Sequence, residues 1–214
     1  LKSRLIMQRQ FPIREQRKAE TREKLILAAQ QLFMENGYEA TTLEGVANRA
    51  GLHVQTLYRH FKTKVELAAA GDEQQLSDFS EAIKSKSKDV STIDFWKEYV
   101  SEVARTLTNK DETEARYREV LHEEIKSPVT AKIFMQLGQA YQELLAKSLA
   151  SDLKIRDQKE CEEAARLIAI TLWGAHADMM RRYDNDRNLN LQAEVIATIE
   201  RVESFCRPLF KSYR

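Results

Sequence analysis

The chain has 214 residues, 43% apolar and 31% charged, with three prolines, six glycines and a net charge of +1. That length buries one substantial core, or a small domain fused to a larger one. Few Pro and Gly beside much Ala, Leu, Glu, Lys and Gln favour an all-α fold. With no secretory signal pattern, no uncharged apolar run long enough to span a bilayer, and two cysteines that make no disulfide framework, the chain is expected to be cytoplasmic.

Residues 1–20 carry Lys2, Arg4, Arg9, Arg14, Arg17 and Lys18, and Pro12 should interrupt any helix there. They suit a basic arm that follows a duplex into the minor groove or along its backbone, and equally a solvated tail. The first helix is predicted over 15–36, with Ile26, Ala29, Leu32 and Phe33 inward and Asn36-Gly37 as its stop. Tyr38 reads as core. Charge is uneven: residues 1–64 hold 12 Lys and Arg against 6 Asp and Glu, and the remaining 150 hold 22 against 27. A basic end on a nearly neutral chain points to a localised polyanion contact.

From Thr42 to Lys64 the chain reads TLEGVANRAGLHVQTLYRHFKTK. Leu43, Val46, Ala47 and Ala50 recur at helical spacing, Thr42 is placed to cap them, and Gly51 to end them. Two residues later a second short helix begins, with Val54, Leu57 and Phe61 inward. Two helices joined by so tight a glycine turn make a helix-turn-helix, whose second helix can enter a major groove. Gln55, Thr56, Tyr58, Arg59 and His60 face outward. Gln pairs with an adenine edge, Thr meets a thymine methyl or a phosphate, and Tyr58, His60 and Lys64 suit phosphates. A merely solvated polar face shows the same polarity; the glycine turn and the spacing tell against it.

Residues 21–67 resemble the DNA-binding domain of the tetracycline-repressor (TetR) family, with AAQQLF, NGYEATT, VANRAGL and TLYRHFKTK each in place. The resemblance implies a basic arm (1–20), a three-helix DNA-binding domain (21–67) and a helical ligand-binding and dimerisation domain (68–214). It implies a homodimeric regulator, most often a repressor, that leaves a pseudo-palindromic double-stranded DNA operator when a small molecule binds. By the same resemblance Thr42, Tyr58, His60 and Lys64 match phosphate-binding positions, and Val54, Gln55 and Thr56 face base edges. His53 departs from the Ser or Thr that usually caps the recognition helix.

Thr63 and Glu66 form a capping box for a helix running to about 86, which links the two domains. KSKSKDVS (84–91) reads as a loop. A helix over 93–107 turns Trp96, Tyr99, Val100, Val103, Ala104 and Leu107 to one side; one over 112–126 turns Tyr117, Val120, Leu121 and Ile125. Pro128 opens a helix to about 149, with Ile133, Phe134, Leu137, Tyr141, Leu144 and Leu145 inward. The last two helices are predicted over 157–183 and 191–207, with Pro208 kinking or ending the second. Residues 164–180 are apolar nearly all round, and Val195, Ile199, Val202, Cys206 and Leu209 form a heptad-like seam. These helices are expected to build an intermolecular four-helix bundle, hence a homodimer.

Trp96, Tyr99, Tyr117, Phe134, Tyr141 and Trp173 lie on inward faces of different helices and are candidates to line a small-molecule site. His122 and His176, with Trp173, are the candidate polar anchors. Each aromatic taken singly reads more readily as ordinary core; for the set, the resemblance to a family that uses this domain as a sensor implies a cavity. Glu119 and His122 form half of a carboxylate di-iron pattern, without the second copy that chemistry needs. No P-loop, G-x-S-x-G or zinc-ligand cluster is present, so no enzyme, cofactor or metal is expected. The offset of Cys161 and Cys206 about the last turn is too large for an intrachain disulfide. Two other readings stay open: a helical dimeric interaction module, and a redox-responsive regulator without a small-molecule ligand.

Overall fold

A computed structural model describes the backbone of residues 2–211 and the side chains of 14–208. Among the described residues are nine helices and no strand: α1 (Lys2–Asn36), α2 (Leu43–Arg49), α3 (Val54–His60), α4 (Lys64–Ser85), α5 (Thr92–Leu107), α6 (Asp111–Lys126), α7 (Pro128–Asp152), α8 (Gln158–Asn185) and α9 (Leu191–Lys211). They form two compact units, Leu1–Gln74 and Gln75–Arg214, here called the head and the body. Helix α4 starts in the first and ends in the second.

In the head, local chemistry sets the helix ends. Gly37, at φ +81°, donates its amide to Phe33 O (2.9 Å) and stops α1 in a conformation that L side chains rarely adopt. The buried Thr41 hydroxyl bonds Gly37 O (2.8 Å) and Leu32 O (3.1 Å). Thr42 caps α2 by accepting from the Gly45 amide at 3.0 Å. At the other end Gly51 takes φ +68°, its amide reaching Asn48 O (3.0 Å) while the Leu52 amide reaches Ala47 O (2.9 Å). This is a Schellman turn, and it satisfies the last carbonyls of α2. Leu25, Ile26 and Ala29 of α1, Val46 of α2, Leu57 of α3 and Leu67 of α4 close the head core, and Tyr38 is buried as expected. One expectation is corrected: α1 runs through Pro12 from Lys2 rather than starting near 15. Proline already holds a helical φ, so its cost inside a helix is one amide bond and a local clash. The side chains of Lys2, Arg4 and Arg9 lie outside the described residues; Arg14, Arg17 and Lys18 are exposed.

Three body helices begin at side-chain caps. Ser91, Ser127 and Asp157 accept from the amides of Asp94, Thr130 and Glu160, and Pro128 occupies the first turn of α7. Their apolar faces meet in one core that includes Phe79, Leu145, Leu149, Ile168, Ala169 and Leu172. Each fully buried Leu, Ile or Phe of this core contributes about 1.5–3 kcal/mol. Arg118 of α6 ties off the turn between α8 and α9. Its guanidinium donates to Tyr183 O (2.7 Å), Asp186 O (3.1 Å) and Leu189 O (2.8 Å), and lies 3.6 Å from the Tyr183 ring centre.

Packing overrules several predicted faces. Val103, Ile125 and Phe134 are exposed, each at the margin of its helix's apolar arc. Helix α9 continues through Pro208 to Lys211; so near the helix end the proline removes only one late hydrogen bond. The largest correction concerns the heptad-like seam. Val195, Ile199, Val202 and Cys206 are all buried within this one chain, where α5 and α8 pack on α9. The Leu209 side chain lies outside the described residues. What the last two helices leave exposed is a different set: Leu167 (55%) and Ile170 (46%) on α8, Ile196 (43%) and Phe205 (78%) on α9.

Candidate nucleic-acid interface and aromatic core

Helix α3 stands on the head core through Leu57, fully buried, and through Val54, which packs against that core and is half-buried. This leaves Gln55, Tyr58 and Arg59 exposed, with Thr56 and His60 half-buried beside them. Arg59 Nη2 donates to Thr56 Oγ1 at 3.0 Å, so two of the candidate contacts are linked. The Tyr58 hydroxyl donates to Glu44 Oε1 of α2 at 3.1 Å, and that carboxylate holds the phenol above its ordinary range. Burial, then Lys18, Arg59 and Arg22 in turn, hold His60 below the usual imidazole value. These neighbours make the surroundings of His60 basic, and α1 contributes through Lys18 and through Arg22, whose guanidinium sits 5.1 Å from the Phe61 ring centre.

Two predicted positions have a structural duty. Thr42 is exposed, but its hydroxyl is the cap of α2. Lys64 Nζ donates to Tyr38 O (2.8 Å) and Glu39 O (3.0 Å) and lies 4.4 Å from the Tyr38 ring centre. It anchors the segment leading into α2. His53 begins α3 with no side-chain cap bond, as its departure from Ser or Thr implied. The capping box at Thr63 forms in shifted register: the Glu66 amide reaches Thr63 Oγ1 at 3.1 Å, and the Glu66 carboxylate accepts from the Lys62 amide at 2.7 Å.

In the body, six of the predicted residues come together. Trp96, Tyr99, Phe134, Tyr141, Trp173 and His176 form a chain of ring contacts with centroids 5.1–6.3 Å apart. Phe79 and Phe95 belong to the same cluster and sequence reasoning missed them; their place on the same helical arcs as Leu76 and Tyr99 was the available signal. The Trp96 indole N–H is buried without an acceptor among the described residues. Beside it, Trp96, His176 and Thr198 border a void of about 10 Å³, room for about one water. Two predicted residues stand apart. Tyr117 packs on Tyr183, with ring centres 6.3 Å apart. His122 is solvent-facing, with Nδ1 3.0 Å from Asp184 Oδ1 and Nε2 2.6 Å from Lys126 Nζ. Among the described residues no group of three or more His, Cys, Asp or Glu is placed to hold a metal ion. Cys161 and Cys206 are free and buried, and burial pushes the Cys206 thiol up, away from the thiolate.

Burial pushes His176 down to about 4 from 6.5. The unfolded chain therefore binds the extra proton between those values, and acidification across that window costs up to about 1.4 kcal/mol per pH unit. Glu124 works the other way. Burial raises its carboxyl to about 7 from 4.5, so the folded state holds the proton there and gains as pH falls. A single variant separates the two. The unfolding free energy of wild type minus that of His176→Asn, followed by urea denaturation, should rise from pH 4 to pH 6.5. A flat difference would show that the imidazole is solvated.

Comparison with known proteins places the head first. Residues 25–70 match the family model described as bacterial regulatory proteins, tetR family. The chain is 25% identical over 183 residues to the HTH-type transcriptional activator FasR of Mycolicibacterium smegmatis, covering 85% of this chain and 80% of that one. It is 41% identical over 56 residues to the HTH-type transcriptional regulator TcmR of Streptomyces glaucescens, a match limited to 26% of this chain and 25% of TcmR. Among solved structures, the complex of SmeT with triclosan aligns at a TM-score of 0.60 and 20% identity, over 87% of this chain and 91% of that chain. SmeT is the repressor of a Stenotrophomonas maltophilia multidrug efflux pump. At that identity the likeness is one of fold. No helix among the described residues is long and apolar enough to cross a membrane.

Proposed function

From its place in the TetR family of bacterial transcriptional regulators, to which the chain belongs, we propose that it acts as a cytoplasmic, homodimeric repressor released from its operator by a small molecule. The observation that carries this reading is the exposed Gln55–Arg59 face of α3, set on its own core behind the Gly51 turn. Two copies of α3 would enter successive major grooves about 34–36 Å apart on a pseudo-palindromic duplex. Gln55 and Thr56 would read base edges with Val54 alongside; Thr42, Tyr58, His60 and Lys64 would hold phosphates, and Arg59 would brace Thr56. The body cluster around Trp96, whose buried indole N–H has no acceptor among the described residues, is the place we assign to the effector, by analogy with the small molecule bound in SmeT; its rings would have to part to admit one, since the void there holds about one water. The exposed apolar residues of α8 and α9 would form the dimer face.

The test is an unbiased operator selection followed by gel shifts against random competitor. A palindromic site should emerge, and no preference over competitor at moderate salt would end the reading. With that site in hand, Gln55→Ala should lose about 1–3 kcal/mol of discrimination at one base pair per half-site and leave the others unchanged. Uniform weakening at all positions would place Gln55 on the backbone instead. A promoter–reporter fusion that brightens when the chain is deleted supports repression, and one that dims supports activation.

A further inference from the structure

We infer that a groove at the C-terminal end of α4 is a binding site for a small phosphate-bearing compound with an apolar part, separate from the aromatic core. The groove encloses about 510 Å³ between the end of α4, the loop after it and the last turns of α7. Drug-sized ligands occupy such volumes.

Its charge is the reason for the assignment. Four of its nine lining residues are Lys84, Lys86, Lys88 and Lys147, and its one carboxylate is Asp152. This runs against a body in which acids outnumber bases. Asp152 is already committed: one oxygen accepts the Thr92 amide at 2.6 Å and the other stands 3.6 Å from Lys86 Nζ. The Lys86 side chain is 10% exposed, and its ammonium also donates to Val90 O at 2.8 Å. It is a fixed cation in the groove wall rather than a loose surface chain. The other three lysines are exposed on the rim, and none of them is in an ion pair among the described residues.

With the Asp152 charge taken up by Lys86, the three rim lysines give the groove a net positive charge, and a ligand carrying several negative oxygens would balance it. Lysines bind phosphate as point charges, and a phosphate monoester, with a charge of about −1.5 to −2 near neutral pH spread over three oxygens, offers several ammonium groups more than a singly charged carboxylate can. Ile83 and Leu144 add an apolar lining, so an ester of phosphate with an apolar group fits better than phosphate alone. Because α4 begins in the head at Lys64, the site lies on the helix that both units share.

The test uses the full chain without DNA, so its result is independent of whether an operator is found. Phenyl phosphate is titrated by calorimetry at moderate salt, with benzoate and inorganic phosphate beside it. One molecule per chain should bind, more tightly than either control. The variant Lys84→Gln/Lys88→Gln/Lys147→Gln should lose about tenfold or more in affinity, a fewfold for each cation removed. Arg22→Gln in the head should change nothing. These lysines are exposed, and circular dichroism checks the fold; Lys147→Gln alone, at about threefold, repeats the test with a smaller change. Unchanged binding in the lysine variants, a loss in Arg22→Gln instead, or equal response to all three anions would overturn the assignment.

Discussion

Replacing Gly138 by alanine should destabilise the body by about 1–2 kcal/mol, even though alanine is the better helix former. Inside α7 the exchange gains about 1 kcal/mol in backbone propensity. An added Cβ, however, would lie 2.4 Å from Trp173 Nε1, 2.6 Å from Cε2 and 3.0 Å from Cζ2. The indole has nowhere to go. It is buried, stacks on Tyr141 at 5.3 Å and 16°, and meets Phe134 and His176 on other sides. Overpacking of this kind costs about 1–3 kcal/mol, and so close a contact with a rigid ring belongs at the upper end. Both tryptophans, Trp96 and Trp173, lie in the body, so their fluorescence during urea unfolding reports that unit alone. Trimming the ring, as Gly138→Ala/Trp173→Phe, should recover part of the loss. A Gly138→Ala variant more stable than wild type would mean that the indole moves freely.

The double variant Leu167→Asp/Ile170→Asp should separate the proposed dimer and weaken operator binding by about a hundredfold or more. Both side chains are exposed in the protomer, so the substitutions should leave its own fold within about 0.5 kcal/mol. In a dimer they would place carboxylates inside an apolar interface, which costs far more. Two linked heads gain their second half-site intramolecularly, an advantage of about 10²–10⁴ that a monomer forfeits. Light scattering after size exclusion should show the mass halve at micromolar protein. A dimer that survives the double variant would move the interface elsewhere, and wild type eluting as a monomer would remove it. Val195 and Val202, placed in the seam by sequence, are unsuitable for this test, because a charge there breaks the protomer itself.

What could be read in the chain beforehand is what depends on neighbours a few residues away. The Thr42 cap, the Gly37 and Gly51 stops and the Pro128 start each rest on contacts within six residues or fewer, as do the Ser91 and Asp157 caps, which the sequence reading did not name. Helix ends, the polar face of α3 and the resemblance of the head were therefore legible. The shifted bond from Glu66 to the Lys62 amide shows the limit even there: spacing names the partners, and geometry selects which amide receives them.

The amino-acid order by itself determined that the chain is helical, that residues 43–61 turn a polar surface outward, and that certain stripes of each helix are apolar. It did not determine what covers each stripe, because an apolar face has no direction in its chemistry and is satisfied equally by its own chain or by another. Only the tertiary structure decided that α5 and α8 consume the seam of α9 while Leu167, Ile170, Ile196 and Phe205 remain outside. It likewise decided that Lys64 bonds the Tyr38 and Glu39 carbonyls, that His122 faces water, and that Gly138 lies against the Trp173 indole with no room for a Cβ. Each of those outcomes depends on atoms brought together from distant parts of the chain, whose separation no local pattern encodes.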